Sequence, residues 1–336
     1  MKLIKNTAEL CESGTITHKK ALEDQENILK NNEIPLSIAN GKISVTYFSN
    51  QIWCEYQLLY KLVTKLQIET EATKRGIKRH EQLELESHSF EEVTVSCVEE
   101  LMGIKLLNTV IQIEEIFQTN KKVREVWVFY PLDHDIIIRG IIDEICVDVN
   151  GDLLLKDTKT RAELTIPPDS QKQSSALQLG IYAFIIDKLR KASSEDESFE
   201  AFYDLYKCDK TKPFELDILQ PYKNLKNMLK LYLESFKKLP TKLNYAEIEY
   251  DCEGTIFHIE RIPIKKINLS NTLNYLLEWW YGERNATKLT THETYKCKHC
   301  AFIDICQYTP LSVSEKNATI AEKYVNEDIE DLISDD

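Results

Sequence analysis

The sequence predicts an α/β protein, and three observations carry that expectation. Amphipathic helical stretches alternate with short strand-like runs, and an Asn-Gly pair marks a hairpin between two apolar runs. The 336 residues, 43% hydrophobic and 29% charged, suit a globular chain with one large core or two modest ones.

Taken in order, residues 1–42 are polar without sustained periodicity and read as an N-terminal arm or partly ordered cap. Apolar residues at three- and four-residue steps predict helices over Gln51 to Gln67 and Glu99 to Phe117. A short strand over Val126 to Tyr130 precedes the hairpin GIIDEICVDVNGDLLLKDTKTR, Gly140 to Arg161. A long helix over Lys172 to Leu189 follows, then the polar loop SSEDES and a strand near Phe202 to Tyr206. Leu219 to Leu239 and Thr272 to Trp280 read as helices, and Cys297 to Cys306 is cysteine-rich. The ending NEDIEDLISDD is an acidic tail of the kind that packs poorly. The domain division that results is 1–42 as arm, 43–310 as the folded domain and 311–336 as tail.

Composition narrows the function classes. The longest apolar runs, such as IYAFII from Ile181, fall far short of a membrane span. The first ten residues lack the apolar core and cleavage site of a secretory signal, so the expectation is an intracellular protein of nucleus, cytoplasm or mitochondrion. Nine cysteines without that signal argue for metal ligation or burial rather than a disulfide scaffold. A net charge of −13 excludes a uniformly basic, nucleic-acid-coating surface. Basic groups at Lys74 to Arg79, Lys121 to Arg124, Lys156 to Arg161 and Lys207 to Lys212 still permit a local positive groove.

The hairpin concentrates the chemistry. A two-residue loop would put Asp143 and Asp157 on opposite faces, because strand side chains alternate. A three-residue loop over Val149-Asn150-Gly151, with left-handed Gly151, would set Asp143 across from Asp157 and Lys159 on the same face. Opposed Cβ atoms are about 4.5–5.5 Å apart, within reach of one shared divalent cation, and without a cation the opposed charges repel. The expectation is the three-residue loop. The rival reading is a solvated hairpin, since an Asp-x-Lys triplet is also what a surface salt bridge looks like.

Further motifs extend the pattern. GIKRH places His80 upstream of the carboxylates, and QLGIY places Gln178 and Tyr182 one helical turn apart, on one helix face. The order His80, Asp143, Asp157-Thr158-Lys159, Gln178-x-x-x-Tyr182 resembles the motif series of the RecB-type nucleases in the PD-(D/E)xK superfamily. Cys54 in IWCEYQ, with Cys297, Cys300 and Cys306 spaced C-x-x-C-x-x-x-x-x-C, resembles that group's [4Fe-4S] iron staple. The rival ligand is zinc, whose structural sites more often use two close cysteine pairs. SVTYFSNQIWCEYQLLY, YKCKHCAFIDICQY and WWYGERNA resemble eukaryotic exonuclease V, and the resemblance runs from Ile43 to Tyr308.

That resemblance implies a restriction-endonuclease-like core, a central mixed sheet flanked by helices, with the cluster joining N- and C-terminal segments. It implies a single-strand-specific DNA exonuclease using Mg²⁺ or Mn²⁺. His80, Asp143, Asp157 and the Thr158 carbonyl would ligate the metal, Lys159 would orient water, and Gln178 and Tyr182 would contact substrate or order the site. Arg161, Lys78 and Arg79 are candidate phosphate contacts, and Trp53, Tyr56 and Trp280 could stack bases but read better as core. Relatives commonly carry Glu where this chain has Asp157, which bears on metal spacing. The expected partners are single-stranded DNA and a single-strand-binding protein, with the chain a monomer. Two rival functions stand beside this one. One is a cluster-bearing DNA-binding protein with an inactive nuclease centre. The other is a nuclease subunit needing a helicase partner, since the chain has no Walker A motif.

Overall fold

The structure is a computed structural model, and it describes residues 2–6, 35–65, 70–119, 122–264, 269–298 and 300–322. The strands are β1 Lys2–Asn6, β2 Lys42–Ser44, β3 Ser89–Val93, β4 Val123–Asp133, β5 Ile136–Val147, β6 Leu153–Arg161, β7 Tyr245–Cys252 and β8 Thr255–Pro263. The helices are α1 Pro35–Ile38, α2 Val45–Trp53, α3 Glu55–Thr64, α4 Glu71–Ser87, α5 Val98–Thr119, α6 Asp169–Lys191, α7 Glu200–Tyr206, α8 Leu225–Lys237, α9 Leu269–Trp280 and α10 Tyr295–Lys298. This is a mixed α/β architecture. Two compact units divide the chain, one of residues 1–14, 39–49 and 69–274, the other of 15–38, 50–68 and 275–336.

The first unit is built on a six-stranded mixed sheet in the order β2-β5-β6-β7-β8, with β4 on the remaining edge of β5. β4–β5, β5–β6 and β7–β8 are antiparallel hairpins, and β6 runs parallel to β7. The β7–β8 turn has Glu253 and Gly254 at φ +51 and +85, the pair of left-handed residues a two-residue hairpin turn requires. Helices cover the sheet because its strands are apolar. Phe129 of β4 stacks on Phe202 of α7 and Tyr232 of α8, at centroid distances of 4.5 and 5.5 Å. All three rings are fully buried, and each contributes about 1.5–3 kcal/mol by leaving water. Outside the main sheet, β1 pairs in parallel with β3.

The second unit is organised around a buried ion pair. Glu55 is 5% exposed and accepts from Arg284 Nη1 at 2.8 Å, Arg284 Nη2 at 2.5 Å and Thr287 N at 2.6 Å. Buried Trp280 donates to Gln51, which in turn donates to Glu55 and to the Leu276 carbonyl. Tyr56 stacks on Tyr308 with centroids 3.9 Å apart, and Trp53 meets Tyr295 edge-on.

Several expectations change. The strand near Phe202 to Tyr206 is instead α7, whose three consecutive apolar residues, Ala201 to Tyr203, bury against the core and whose C-cap Lys207 is left-handed. The single helix over Gln51 to Gln67 is two helices, α2 and α3, broken at Cys54, which is extended with φ −166°. Residues 66 and 67 lie outside the described residues. The helix read from Leu219 begins as a 3₁₀ turn containing Pro221, and α8 starts only after the Asn224 cap accepts from Asn227 N. The β7–β8 hairpin was not read from the sequence at all. Within the polar arm, residues 2–6 are strand β1, while 7–34 lie outside the described residues. The acidic tail beyond 322 does too, and 313–322 is helical.

Candidate active site

The site lies at a gap in the sheet. One edge of β5 pairs with β4 along nearly its whole length. On the other edge β2 pairs with Ile137–Arg139 and β6 with Glu144–Val147, so Gly140–Asp143 face no strand in either register. Buried backbone groups need partners. Here one partner comes from the site itself. Thr158 N donates to Asp143 Oδ2 at 2.9 Å. The Tyr182 ring lies on Gly140 so closely that a Cβ there would sit 2.7 Å from the ring edge and hydroxyl. Gln178 lies one turn earlier on α6, on the same helix face.

The hairpin adopts the three-residue loop. Glu144 pairs with Lys156 and Val147 with Leu153, Asp148 N donates to Asp152 O at 2.9 Å, and Gly151 is left-handed at φ +79. The Asp148 carboxylate accepts from Asn150 N and Asp152 N and so fixes the turn. This register carries Asp143 and Asp157 to the mouth of the gap, where Lys159 Nζ lies 2.9 Å from Asp157 Oδ1.

His80, on α4, completes the group. Its Nδ1 lies 3.0 Å from Glu125 Oε1 and its Nε2 3.7 Å from Asp143 Oδ2. A carboxylate only accepts, so Nδ1 carries the proton and Nε2 is left to face Asp143. Glu125 sits in β4 between the pairs Arg124–Glu144 and Val126–Ile142, level with Asp143, and its φ of +54 turns it out of the ladder toward His80. Left-handed backbone in a non-glycine strand residue costs free energy and collects at functional sites. The sequence reading began this strand at Val126 and missed Glu125; nothing in a single sequence marks a left-handed glutamate.

Electrostatics follow from the crowding. Burial, then the Asp157 charge, push the Asp143 carboxyl up to about 7. The Glu125 hydrogen bond, with the Asp143 charge adding to it against burial, raises the His80 imidazole to about 9. Burial works to lower the Lys159 ammonium, but Asp157 and Asp143 more than offset it and the group is raised. Tyr182 is pushed up by burial and by the Asp143 charge.

These residues fit a divalent cation. The ligand atoms of His80, Glu125 and Asp143 lie within 4.8 Å of one another, and buried Asp157 Oδ2 makes no hydrogen bond. In the second unit Cys54, Cys297, Cys300 and Cys306 line one pocket with Gln57, which donates to Cys300 Sγ at 3.5 Å. Burial, with the nearby sulfurs adding to it, pushes the Cys54 thiol up to about 11. Such a cluster of thiols is stable as thiolates only beside a metal. Among the described residues no three of these sulfurs lie within 4.8 Å of one another. A single zinc with 2.3 Å bonds would hold them about 3.8 Å apart. Four thiols lining one pocket are a donor set that could hold a metal centre.

Comparison with known proteins decides the family. The profile described as "Exonuclease V - a 5' deoxyribonuclease" matches residues 37–153, 148–238 and 215–309. The chain belongs to the exonuclease V family. Zebrafish (Danio rerio) exonuclease V is 25% identical over 300 residues, covering 84% of this chain and 75% of that protein. Among solved structures, the crystal structure of SSO0001 aligns at 14% identity with a TM-score of 0.37, over 89% of this chain and 98% of that one, a likeness too slight to argue from. Family membership gives the expected DNA exonuclease, a nuclease hydrolase, and adds a 5′ polarity that the sequence reading had left open. Among the described residues no helix is long and apolar enough to cross a membrane.

Proposed function

We propose that this chain is a metal-dependent exonuclease acting on single-stranded DNA from a 5′ end, with a PD-(D/E)xK catalytic core and a structural [4Fe-4S] cluster. The observation that carries the reading is the convergence of His80, Glu125 and Asp143 beside Asp157 and Lys159, at a gap in the sheet rather than on its closed surface. His80, Asp143, Asp157 and the Thr158 carbonyl hold Mg²⁺ or Mn²⁺, with Glu125 orienting His80. The bound cation supplies charge neutralisation at the phosphate and a more acidic water. Lys159, fixed by Asp157 Oδ1, orients the attacking water and neutralises charge as it develops on the phosphate. Asp143 is held by Thr158 N, so its second oxygen keeps one direction through the reaction. Tyr182 and Gln178 hold the gap open. Asp157, where relatives commonly carry Glu, would offer a bound cation a shorter reach from β6.

Cys54, Cys297, Cys300 and Cys306 hold the cluster, which fastens α3 to the C-terminal segment within the second unit. The chain works as a monomer inside the cell on strands kept open by a single-strand-binding protein. The test is degradation of 5′- and 3′-labelled single- and double-stranded oligonucleotides by anaerobically purified protein with Mg²⁺, beside Asp143→Ala and Lys159→Ala. Iron content and absorbance near 400 nm are read on the same samples. Cleavage of single strands, lost in both variants, with iron present, supports the reading. Iron with binding but no cleavage points to an inactive centre or a missing helicase partner, and zinc in place of iron overturns the cluster.

A further inference from the structure

A cleft of about 390 Å³ opens in the first unit between α4, the end of β6 and the β7–β8 turn. Arg75, Lys78, Arg79 and Gln82 enter it from α4 at steps of three and four, one helical face. Thr160 and Arg161 enter from β6, immediately after Lys159, and Arg79 immediately precedes His80. Two elements therefore carry a catalytic residue and a cleft residue side by side in sequence, with Thr160 and its strand partner Asp251 on the sheet face opposite Lys159.

Its charge is unusual for so acidic a chain. Asp251 is buried and already committed, accepting from Arg79 Nε at 3.1 Å, Arg79 Nη2 at 3.0 Å and Gly254 N at 2.9 Å. Among the described residues no carboxylate comes within 4.0 Å of the charged ends of Arg75, Lys78 or Arg161. Arg161 instead donates to the backbone oxygen and hydroxyl of Thr165, neutral partners. Lys156, by contrast, sits among Glu144, Glu247 and Glu249, and Arg261 bonds Glu247, while Arg139 and Arg190, like Arg161, bond only neutral groups among the described residues. Glu253 lines the cleft as well, so four cations, Arg75, Lys78, Arg79 and Arg161, stand against two carboxylates, and the excess positive charge on one cleft suits an anion.

We propose that this cleft holds a backbone phosphate of the DNA strand, next to the phosphodiester being cut. The proposal rests on the nuclease reading above and names where the strand leaves the catalytic gap. Arg75 and Lys78 supply mobile charge, Arg161 a planar fork for phosphate oxygens, and the Arg79–Asp251 pair a fixed floor. The contacts are to the backbone, so they position the strand without reading its sequence.

The test is fluorescence anisotropy of a labelled single-stranded oligonucleotide across a salt titration, in an Asp143→Asn background that spares the probe. Arg75→Gln/Lys78→Gln is compared with the charge-keeping Arg75→Lys/Lys78→Arg. Each neutralised phosphate contributes about 0.7 to the slope of log K against log salt, so losing the one phosphate held here should flatten it by about 0.7 in the Gln pair and weaken binding about tenfold. The charge-keeping pair should bind as the parent does. In the active background, hydrolysis of bis(p-nitrophenyl) phosphate, too small to span gap and cleft, should be unchanged in both pairs. An unchanged slope and affinity in the Gln pair, or an equal loss in the charge-keeping pair, overturns the proposal. A parent chain that cleaves neither substrate overturns the nuclease reading, and the cleft assignment then stands only where the Gln pair still flattens the parent's slope and the charge-keeping pair does not.

Discussion

Replacing Glu125 by glycine separates what that residue costs the fold from what it gives the site. Its left-handed φ of +54 strains an L-residue by about 1–2 kcal/mol, which glycine relieves. Against this stand the lost bond to His80 and the entropy of a glycine in the unfolded chain. The bond is 3.0 Å long and joins side chains 28% and 22% exposed, so water replaces part of it and its loss costs about 1 kcal/mol. The glycine term adds about 0.5–1 kcal/mol. These nearly cancel, and the melting temperature should move by only a few degrees. The site should not be so forgiving. Without its carboxylate partner the His80 ring loses its fixed tautomer and orientation, a change that typically lowers metal affinity or activity 10- to 100-fold. Calorimetric melting, Mn²⁺ titration and kcat/KM on a labelled oligonucleotide read the three quantities on one preparation. Full Mn²⁺ affinity and rate would refute the orienting role. A stability loss of about 3 kcal/mol or more would show instead that Glu125 holds the sheet together.

Gly140→Ala should cost about 1–3 kcal/mol and most of the activity, because the new Cβ would meet a Tyr182 ring that is 3% exposed and cannot retreat; an unchanged melt and rate would exclude this. Arg284→Met should destabilise the second unit by about 3–5 kcal/mol by stranding buried Glu55, and adding Glu55→Gln should recover much of that in the same denaturant titration. In metal-free protein both His80, raised to about 9 by Glu125, and Asp143, raised to about 7 by burial, favour the folded state when protonated. Their stabilisation is therefore complete at low pH and is lost as pH rises, through 7 for Asp143 and through 9 for His80. Melting with chelator present should fall from about pH 4 to pH 9, and Asp143→Asn should flatten the part of that fall below about pH 7.

Much of the catalytic strand was legible because a hairpin obeys parity. Asn150-Gly151 allowed a two- or a three-residue loop; only the three-residue loop sets Asp143 across from Asp157 with Lys159 on the same face, and the structure has that register. Long periodic helices such as α5 and α6 were legible for the same reason, since burying one face demands a repeat. Helix α7 was not. Its aromatic residues favour strands in isolation, and only the packing of Phe202 against Phe129 decides otherwise. The break at Cys54 was hidden because both flanking helices keep one apolar face. Glu125 was illegible in principle, since a strained backbone is set by what surrounds it and leaves no mark on its own residue type.

The gap in the sheet has one more consequence. One amide proton, that of Thr158, is satisfied by the working side chain Asp143 instead of by a neighbouring strand. Its exchange with solvent is therefore a gauge of the assembled centre that needs no substrate, no turnover and no label. A chain can keep its sheet and lose protection at this position alone, and that loss would report a disordered catalytic group inside an intact fold.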